Sequence, residues 1–197
     1  MPDLAFELQY DPPVAGIDEA GRGPWAGPVV AAAVVLDPGS IPDGLNDSKK
    51  LSGKRRAALF EEISARASVG VGIGPVAEID TIGIARANDL AMCRAVAALP
   101  AAPAFLLIDG NWVPRDLALP ARAIPKGDGL SLSIAAASII AKVTRDRIMA
   151  ELAAAHPGYG WETNQGYGTA AHRAGLARLG VTPHHRRSFK PIRDVIV

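Results

Sequence analysis

The sequence contains a single cysteine, Cys93, and only four histidines among its 197 residues. One cysteine excludes an intramolecular disulfide, and one cysteine with scattered histidines does not supply the ligand spacing of a structural zinc site. Cys93 is therefore expected to be a small core residue.

Long hydrophobic runs are also missing, although 49% of the residues are apolar. No apolar stretch approaches the roughly 20 residues that span a bilayer. The first residues, Met1-Pro2-Asp3, lack the basic and apolar regions of a signal peptide. We therefore expect a cytoplasmic protein that has no membrane partner. We also expect it to be monomeric.

The net charge of +1 is too small to indicate a polyanionic partner, but the basic residues are unevenly distributed. They concentrate in Lys49-Lys50, Lys54-Arg55-Arg56, Lys142 to Arg147, and His184 to Lys190. Local basic surfaces are therefore compatible with a nucleic-acid partner in spite of the low net charge.

Short apolar runs bounded by Gly, Pro or Asp predict five strands, and helical periodicity predicts the segments between them. The strands are expected near 14–19, 28–36, 69–77, 104–109 and 121–124. The helices are expected from an N-cap at Ser52 to Ala67, from an N-cap at Asp80 to Leu99, from Ser131 to Ala155, and from an N-cap at Thr169 to Gly180. This order indicates an α/β (α+β mixed) fold with a mixed sheet. Residues 1–155 would form the sheet domain, and residues 156–197 a C-terminal extension of helices and loops.

Four acidic residues follow apolar segments where charge is not expected. Asp18 and Glu19 end the run that begins at Val14, Asp109 ends Phe105 to Ile108, and Asp128 lies between a short strand and the long helix. An ionised carboxylate in a core costs several kcal/mol unless it is compensated. Asp109 taken alone could be a turn residue of an Asp-Gly pair.

Because strand ends converge in a sheet, these four acids can meet. A cluster of carboxylates without Cys or His suits Mg²⁺ or Mn²⁺. Two such ions about 4 Å apart activate a water and stabilise the leaving oxygen in phosphodiester cleavage. The acids are thus the candidate catalytic and metal-binding residues.

The segment Gly21-Arg22-Gly23 directly follows the first acid pair. Glycines leave the backbone open to a ligand, and the arginine fork suits phosphate. The segment is neither a dinucleotide-binding motif nor a P-loop, because the third glycine is misplaced and no Gly-Lys-Ser/Thr follows. Ser48, Lys49 and Lys50 are either phosphate contacts or a solvated charge run. Arg145 and Asp146 are expected to form a structural ion pair.

Six separated motifs together resemble the type 2 ribonucleases H. They are GIDEAGRGPWAGPVVAAAVVL, DSKKLS, LLIDGN, KGDGLSLSIAAASIIAKVTRDRIM, NQGYGTAAHRAGLARLG and HHRRSFKP, in the order and spacing of that family. The resemblance implies an RNase H-like fold with a five-stranded mixed sheet, flanking helices and a C-terminal helical extension. It also implies hydrolysis of the RNA strand of RNA–DNA hybrids and nicking 5′ of single ribonucleotides in duplex DNA.

The resemblance assigns roles to residues of this sequence that match the family motifs. Asp18, Glu19, Asp109 and Asp128 match the metal-binding acids. Gly21-Arg22-Gly23 match the loop that reads the ribose 2′-hydroxyl, and Tyr167 matches the tyrosine that stacks on the following deoxy sugar. Two residues depart from the family pattern: Gln165 replaces the usual lysine, and Trp25 replaces a smaller aliphatic residue.

Two other function classes compete with the ribonuclease. A two-metal DNA exonuclease or related phosphotransferase would explain the acids, but not a Gly-Arg-Gly loop paired with a distant Gly-Tyr-Gly. A non-catalytic nucleic-acid-binding module gives no reason for four acids facing a polyanion. The sequence therefore favours an endonuclease that leaves 5′-phosphate and 3′-hydroxyl ends.

Overall fold

The computed structural model describes residues 1–196, and its centre is a five-stranded sheet. The strands are β1 (Val14–Ala20), β2 (Val29–Val35), β3 (Ser68–Gly74), β4 (Phe105–Asp109) and β5 (Ala121–Ile124). Their order across the sheet is β3-β2-β1-β4-β5. The first three strands pair antiparallel, whereas β4 is parallel to both β1 and β5. The predicted mixed sheet is therefore confirmed.

The described residues form helices of very different lengths around the sheet. They are α1 (Gly53–Arg66), α2 (Val76–Ile82), α3 (Ile84–Ala97), α4 (Leu132–Ala155), α5 (Trp161–Asn164), α6 (Ala170–Leu179) and α7 (Lys190–Ile196). Single 3₁₀ turns occur at Glu7–Gln9, Ser48–Lys50 and Gly127–Gly129. The hydroxyls of Ser52, Ser131 and Thr169 cap α1, α4 and α6, as their positions before apolar periodic segments predict.

Asp80 is not the N-cap that the sequence predicts. It lies inside α2, and the next helix, α3, begins after Gly83 at a left-handed backbone position (φ 81°). The Asp80 carboxylate instead accepts hydrogen bonds from the backbone amides of Arg187 and Ser188. A glycine at positive φ breaks the helix where the side-chain pattern alone suggests continuity.

Helices cover both faces of the sheet. On one face, Ile17 and Ile108 pack with Ala91 and other residues of α2 and α3. On the other face, Ala32 and Val34 pack with α1 and α4. The start of α4 approaches β1 so closely that a Cβ on Gly16 would lie 2.1 Å from the backbone of Ser133. This contact fixes α4 beside the strand that carries Asp18.

The segment after α4 packs against the end of that helix and against the loop between β1 and β2. Trp161, Tyr159, Leu176 and Ile192 share a small core with Met149 of α4 and other residues. The division into residues 1–155 and 156–197 stays a prediction, and its final residue, Val197, lies outside the described residues. No helix within residues 1–196 is both long and apolar enough to cross a membrane.

Candidate active site

Three of the four predicted acids meet at one edge of the sheet. Strands β1 and β4 are parallel and pair Ile17 with Ile108, so the next residues, Asp18 and Asp109, stand side by side. Asp128 joins them from the turn that follows the parallel strand β5. One carboxylate oxygen from each acid lies within 4.8 Å of the other two. We refer to these residues as the acid triad.

Backbone amides hold the triad in place. The amide of Gly127 donates a 2.7 Å hydrogen bond to Asp109, and the amide of Glu19 donates one of 2.7 Å to Asp18. Asp18 and Asp128 are only 5% and 7% exposed. Burial, with the charges of Glu19 and Asp109, raises the pKa of Asp18 well above its usual range. Burial and the neighbouring Asp109 also raise the pKa of Asp128.

Glu19 does not join the triad. Side chains alternate along a strand, so Glu19 points to the opposite face of β1 from Asp18. Its carboxylate lies 3.2 Å from the guanidinium of Arg22. Burial raises the pKa of Glu19, while the charge of Arg22 opposes this shift.

The triad fits a divalent cation. It brings three carboxylates together, and the nearest cationic group, the ammonium of Lys49, lies 3.8 Å from Asp128 on a largely exposed side chain. Burial lowers the pKa of Lys49, but the acids outweigh this effect and raise it. Burial, and after it the charge of the neighbouring acids, raises the pKa of both Asp18 and Asp128. Oxygen-only ligands of this kind suit hard cations.

A cavity of about 370 Å³ beside the triad collects most of the predicted substrate-binding residues. We call it the active-site cavity. Its lining includes Asp18, Glu19, Gly21, Arg22, Gly23, Ser48, Lys49 and Tyr167. Of the proposed substrate-binding residues, Lys50 does not line it. The ammonium of Lys50 instead lies 3.8 Å from the carboxylate of Asp47.

The Gly21–Gly23 loop and Tyr167 come together across this cavity, although they are far apart in sequence. Gly21 has a positive φ of 96°, and a Cβ there would lie 1.9 Å from Nε of Arg145. A Cβ on Gly23 would lie 3.5 Å from Cε1 of Tyr167. The tyrosine is 50% exposed and stands next to the open backbone of the loop.

The two departures from the family pattern lie on either side of Tyr167. The indole of Trp25 packs where a Cβ on Gly168 would come within 2.1 Å of its ring. Gln165 adopts a left-handed conformation (φ 52°) and donates a hydrogen bond to the carbonyl of Glu162. Trp25 thus fills the space beneath the Gly166–Gly168 turn.

Sequence reasoning missed three residues of α4 that also line the cavity: Ser138, Lys142 and Arg145. Their spacing of four and three residues, which places side chains on one helix face, was the available signal. The hydroxyl of Ser138 accepts a 3.2 Å hydrogen bond from the amide of Ser48. The predicted ion pair between Arg145 and Asp146 is wrong, because Asp146 pairs with Lys142 at 2.7 Å and Arg145 turns inward.

Buried histidines hold the backbone of Tyr167. The amide of Thr182 donates to Nδ1 of His185, so the proton of His185 lies on Nε2 and is donated to Nε2 of His172 at 3.0 Å. The indole of Trp161 also donates to Nε2 of His172. His172 therefore carries its proton on Nδ1 and donates it to the Tyr167 carbonyl at 3.0 Å. Burial lowers the pKa of both histidines, that of His185 to about 4.

Comparisons with known proteins agree with this architecture. The profile of the family described as Ribonuclease HII matches residues 15–192. A Ribonuclease HII from Ruegeria pomeroyi is 62% identical over 194 residues, which cover 98% of this chain and 83% of that protein. One from Jannaschia sp. (strain CCS1) is 59% identical and covers 99% of this chain and 98% of its own length. The solved ribonuclease H2 from Pyrococcus horikoshii OT3 has a TM-score of 0.78 and 28% identity, and covers 92% of this chain and 96% of that one.

The fold and the acid triad define an enzyme of the ribonuclease H class with an RNase H-like fold. Within that class, the profile and the relatives that match nearly the whole chain come from a single family. The chain belongs to the ribonuclease HII family.

Proposed function

We propose that this endonuclease hydrolyses the RNA strand of RNA–DNA hybrids and nicks duplex DNA on the 5′ side of a single embedded ribonucleotide. Membership of the ribonuclease HII family supports the reaction class. The observation that carries the finer proposal is the cavity beside the acid triad, whose lining includes Asp18, the Gly21–Gly23 loop and Tyr167. The same cavity can therefore recognise a ribonucleotide and place the phosphodiester on its 5′ side at the acid triad.

Asp18, Asp109 and Asp128 would hold the metal, and Glu19 would complete the site from the edge of the cavity. The donor set favours Mg²⁺ or Mn²⁺, and we propose two ions in the complex with substrate. Bound metal would activate water and stabilise the leaving 3′ oxygen, so that the products carry 5′-phosphate and 3′-hydroxyl ends. Asp109 stays ready to ligate because the Gly127 amide fixes its orientation.

The open backbone at Gly21 and Gly23 can donate to and accept from a 2′-hydroxyl, the group that distinguishes RNA from DNA. Arg22 then lies between Glu19 and the substrate backbone. The exposed ring of Tyr167 offers a flat surface for the following sugar, which lacks the extra oxygen. The pairing of these two elements favours an RNA–DNA junction over continuous hybrid.

Ser48, Lys49 and Lys142 line the cavity on the side of α1 and α4 and would contact phosphates of the same strand. Lys50 would contact a phosphate outside the cavity. We propose residues 1–155 as the catalytic domain, residues 156–197 as the extension that supplies Tyr167, and a monomeric enzyme acting in the cytoplasm.

The test is a duplex with one ribonucleotide, incubated with and without Mg²⁺ beside an all-DNA duplex. We expect a metal-dependent nick 5′ of the ribonucleotide and no cleavage of the control. A 2′,3′-cyclic phosphate would overturn the mechanism, because the ribose hydroxyl would then be the nucleophile. Stepwise loss of nucleotides from the ends of the all-DNA duplex would instead identify an exonuclease.

A further inference from the structure

A second cavity adjoins the active-site cavity on the far side of the end of β1. It also encloses about 370 Å³, and Glu19 and Arg22 line both cavities. Its other walls include Asn88 and Asp89 of α3 and the segment after β4 with Asn111 and Trp112. A strand lying over the acid triad therefore has space on two sides, one beside Tyr167 and one beside Trp112.

Trp112 gives the same cavity an exposed aromatic face. Its side chain is 51% exposed only three residues after Asp109. The guanidinium of Arg115 lies 5.7 Å from the ring centroid, which leaves a cation at the outer rim. Indole faces next to a nucleic-acid cleft pack favourably on sugars and bases.

Charge decides which part of a nucleotide fits. The inner wall carries the carboxylates of Asp89 and Glu19, which disfavour a phosphate. The cations Arg22 and Arg115 lie towards the rim, while Arg86 is already paired with Asp116. The interior therefore suits a neutral sugar or a base edge with a donor, and the rim suits the flanking phosphates.

We propose that this cavity binds the minor-groove side of the nucleotide immediately 5′ of the scissile phosphate, with the indole of Trp112 against its sugar. The direction rests on the proposed function, since Tyr167 would occupy the sugar on the 3′ side of the cut ribonucleotide. The minor groove of an A-form hybrid is wide and shallow, so protein side chains reach it.

The first test replaces Trp112. We expect Trp112→Ala to raise KM for the single-ribonucleotide duplex by about five- to fiftyfold with kcat nearly unchanged, the range of a lost aromatic contact. Trp112→Phe should keep most of the affinity. Leu8→Ala, at a residue 80% exposed outside both cavities, serves as the control for loss of an exposed apolar side chain. An unchanged KM for Trp112→Ala would overturn the proposal.

The second test separates this proposal from the proposed function. Wild-type enzyme that fails to cleave the single-ribonucleotide duplex would count against the proposed function. Cleavage by the wild type, with a KM that Trp112→Ala leaves unchanged, would count against the contact to Trp112 alone.

Discussion

Arg145 and Arg186 donate to the same carbonyl oxygen, that of Pro28, at 2.9 Å from Nε of Arg145 and 3.1 Å from Nη2 of Arg186. Both side chains are buried, and neither pairs with a carboxylate in the described part of the chain. Burial lowers the pKa of Arg145 to about 10. Burial, with the charge of Arg145, lowers that of Arg186 to about 9. Backbone carbonyls therefore solvate two adjacent cations.

The Pro28 carbonyl belongs to the loop that joins β1 to β2. Arg186 also donates to the carbonyls of Gly21, Arg22 and Gly27, and Arg145 to those of Ala26 and Gln165. The Gln165 carbonyl precedes the turn that carries Tyr167. The two guanidinium groups thus fix the distance between the Gly21–Gly23 loop and Tyr167.

We expect Arg186→Lys to lower both stability and kcat/KM, because an ammonium lacks the planar fork that reaches several carbonyls at once. The loss of two or three buried hydrogen bonds corresponds to about 2–4 kcal/mol of unfolding free energy. Urea denaturation and steady-state kinetics measure the two effects. Arg187→Lys, at the exposed neighbour, is the matched control and should change neither. Wild-type kinetics in Arg186→Lys would show that the loop holds its shape without this side chain.

Asp18→Asn and Asp109→Asn should abolish turnover while the fold stays intact. Asp18→Asn should melt at the same or a higher temperature near pH 7. In the wild type, burial and neighbouring acids raise the pKa of Asp18, so the ionised carboxylate destabilises the native state. Cleavage assays at saturating Mg²⁺ and thermal melts test this, with Asp43→Asn at an exposed acid as the control. Near-normal cleavage by either variant would remove that acid from the metal site.

Tyr167→Ala should reduce cleavage at a single embedded ribonucleotide by about one to two decades, from a stacking contribution on the order of 1–3 kcal/mol. Cleavage of continuous hybrid should fall less, because the ring favours a sugar without a 2′-hydroxyl. The ring is half exposed, so the melting temperature should hardly change. Tyr167→Phe keeps the ring and should retain the junction preference. Equal losses on the two substrates, or early melting, would make Tyr167 a packing residue.

The buried histidine pair predicts a loss of stability in mild acid. His185 titrates near pH 4 in the folded protein, against an ordinary value of 6.5. Between these two pH values the unfolded chain binds more protons than the folded one. The stability that neutral His185 contributes is therefore complete above pH 6.5 and decreases as pH falls towards 4. The full effect is about 3 kcal/mol. Urea denaturation at pH 7.5 and pH 5 measures it.

His185→Gln is the variant that isolates this effect. Its amide can donate to Nε2 of His172, yet it does not titrate. The variant should therefore lose less stability than wild type between pH 7.5 and pH 5. An equal loss in both proteins would assign the acid sensitivity to other groups.

The five strands and the identity of the acids are determined by the sequence itself. Apolar runs that end in Asp or Glu mark buried strands interrupted by charge, and that conflict is local, so it is visible without a structure. The caps at Ser52, Ser131 and Thr169 are equally local, since each hydroxyl bonds an amide only three residues away. The motifs also gave the family directly.

Only the tertiary structure decided how these parts act together. The parallel pairing of β1 with β4 places Asp18 beside Asp109, while strand alternation turns Glu19 away towards Arg22. Arg145 and Arg186 donate to backbone carbonyls far along the chain, and carbonyls leave no mark in the sequence. The exchange of an expected ion pair between Arg145 and Asp146 for buried carbonyl contacts has the same physical reason. Side-chain identity fixes what a residue can bond, but the packing of α4 and the C-terminal extension against the β1–β2 loop fixes what lies within reach.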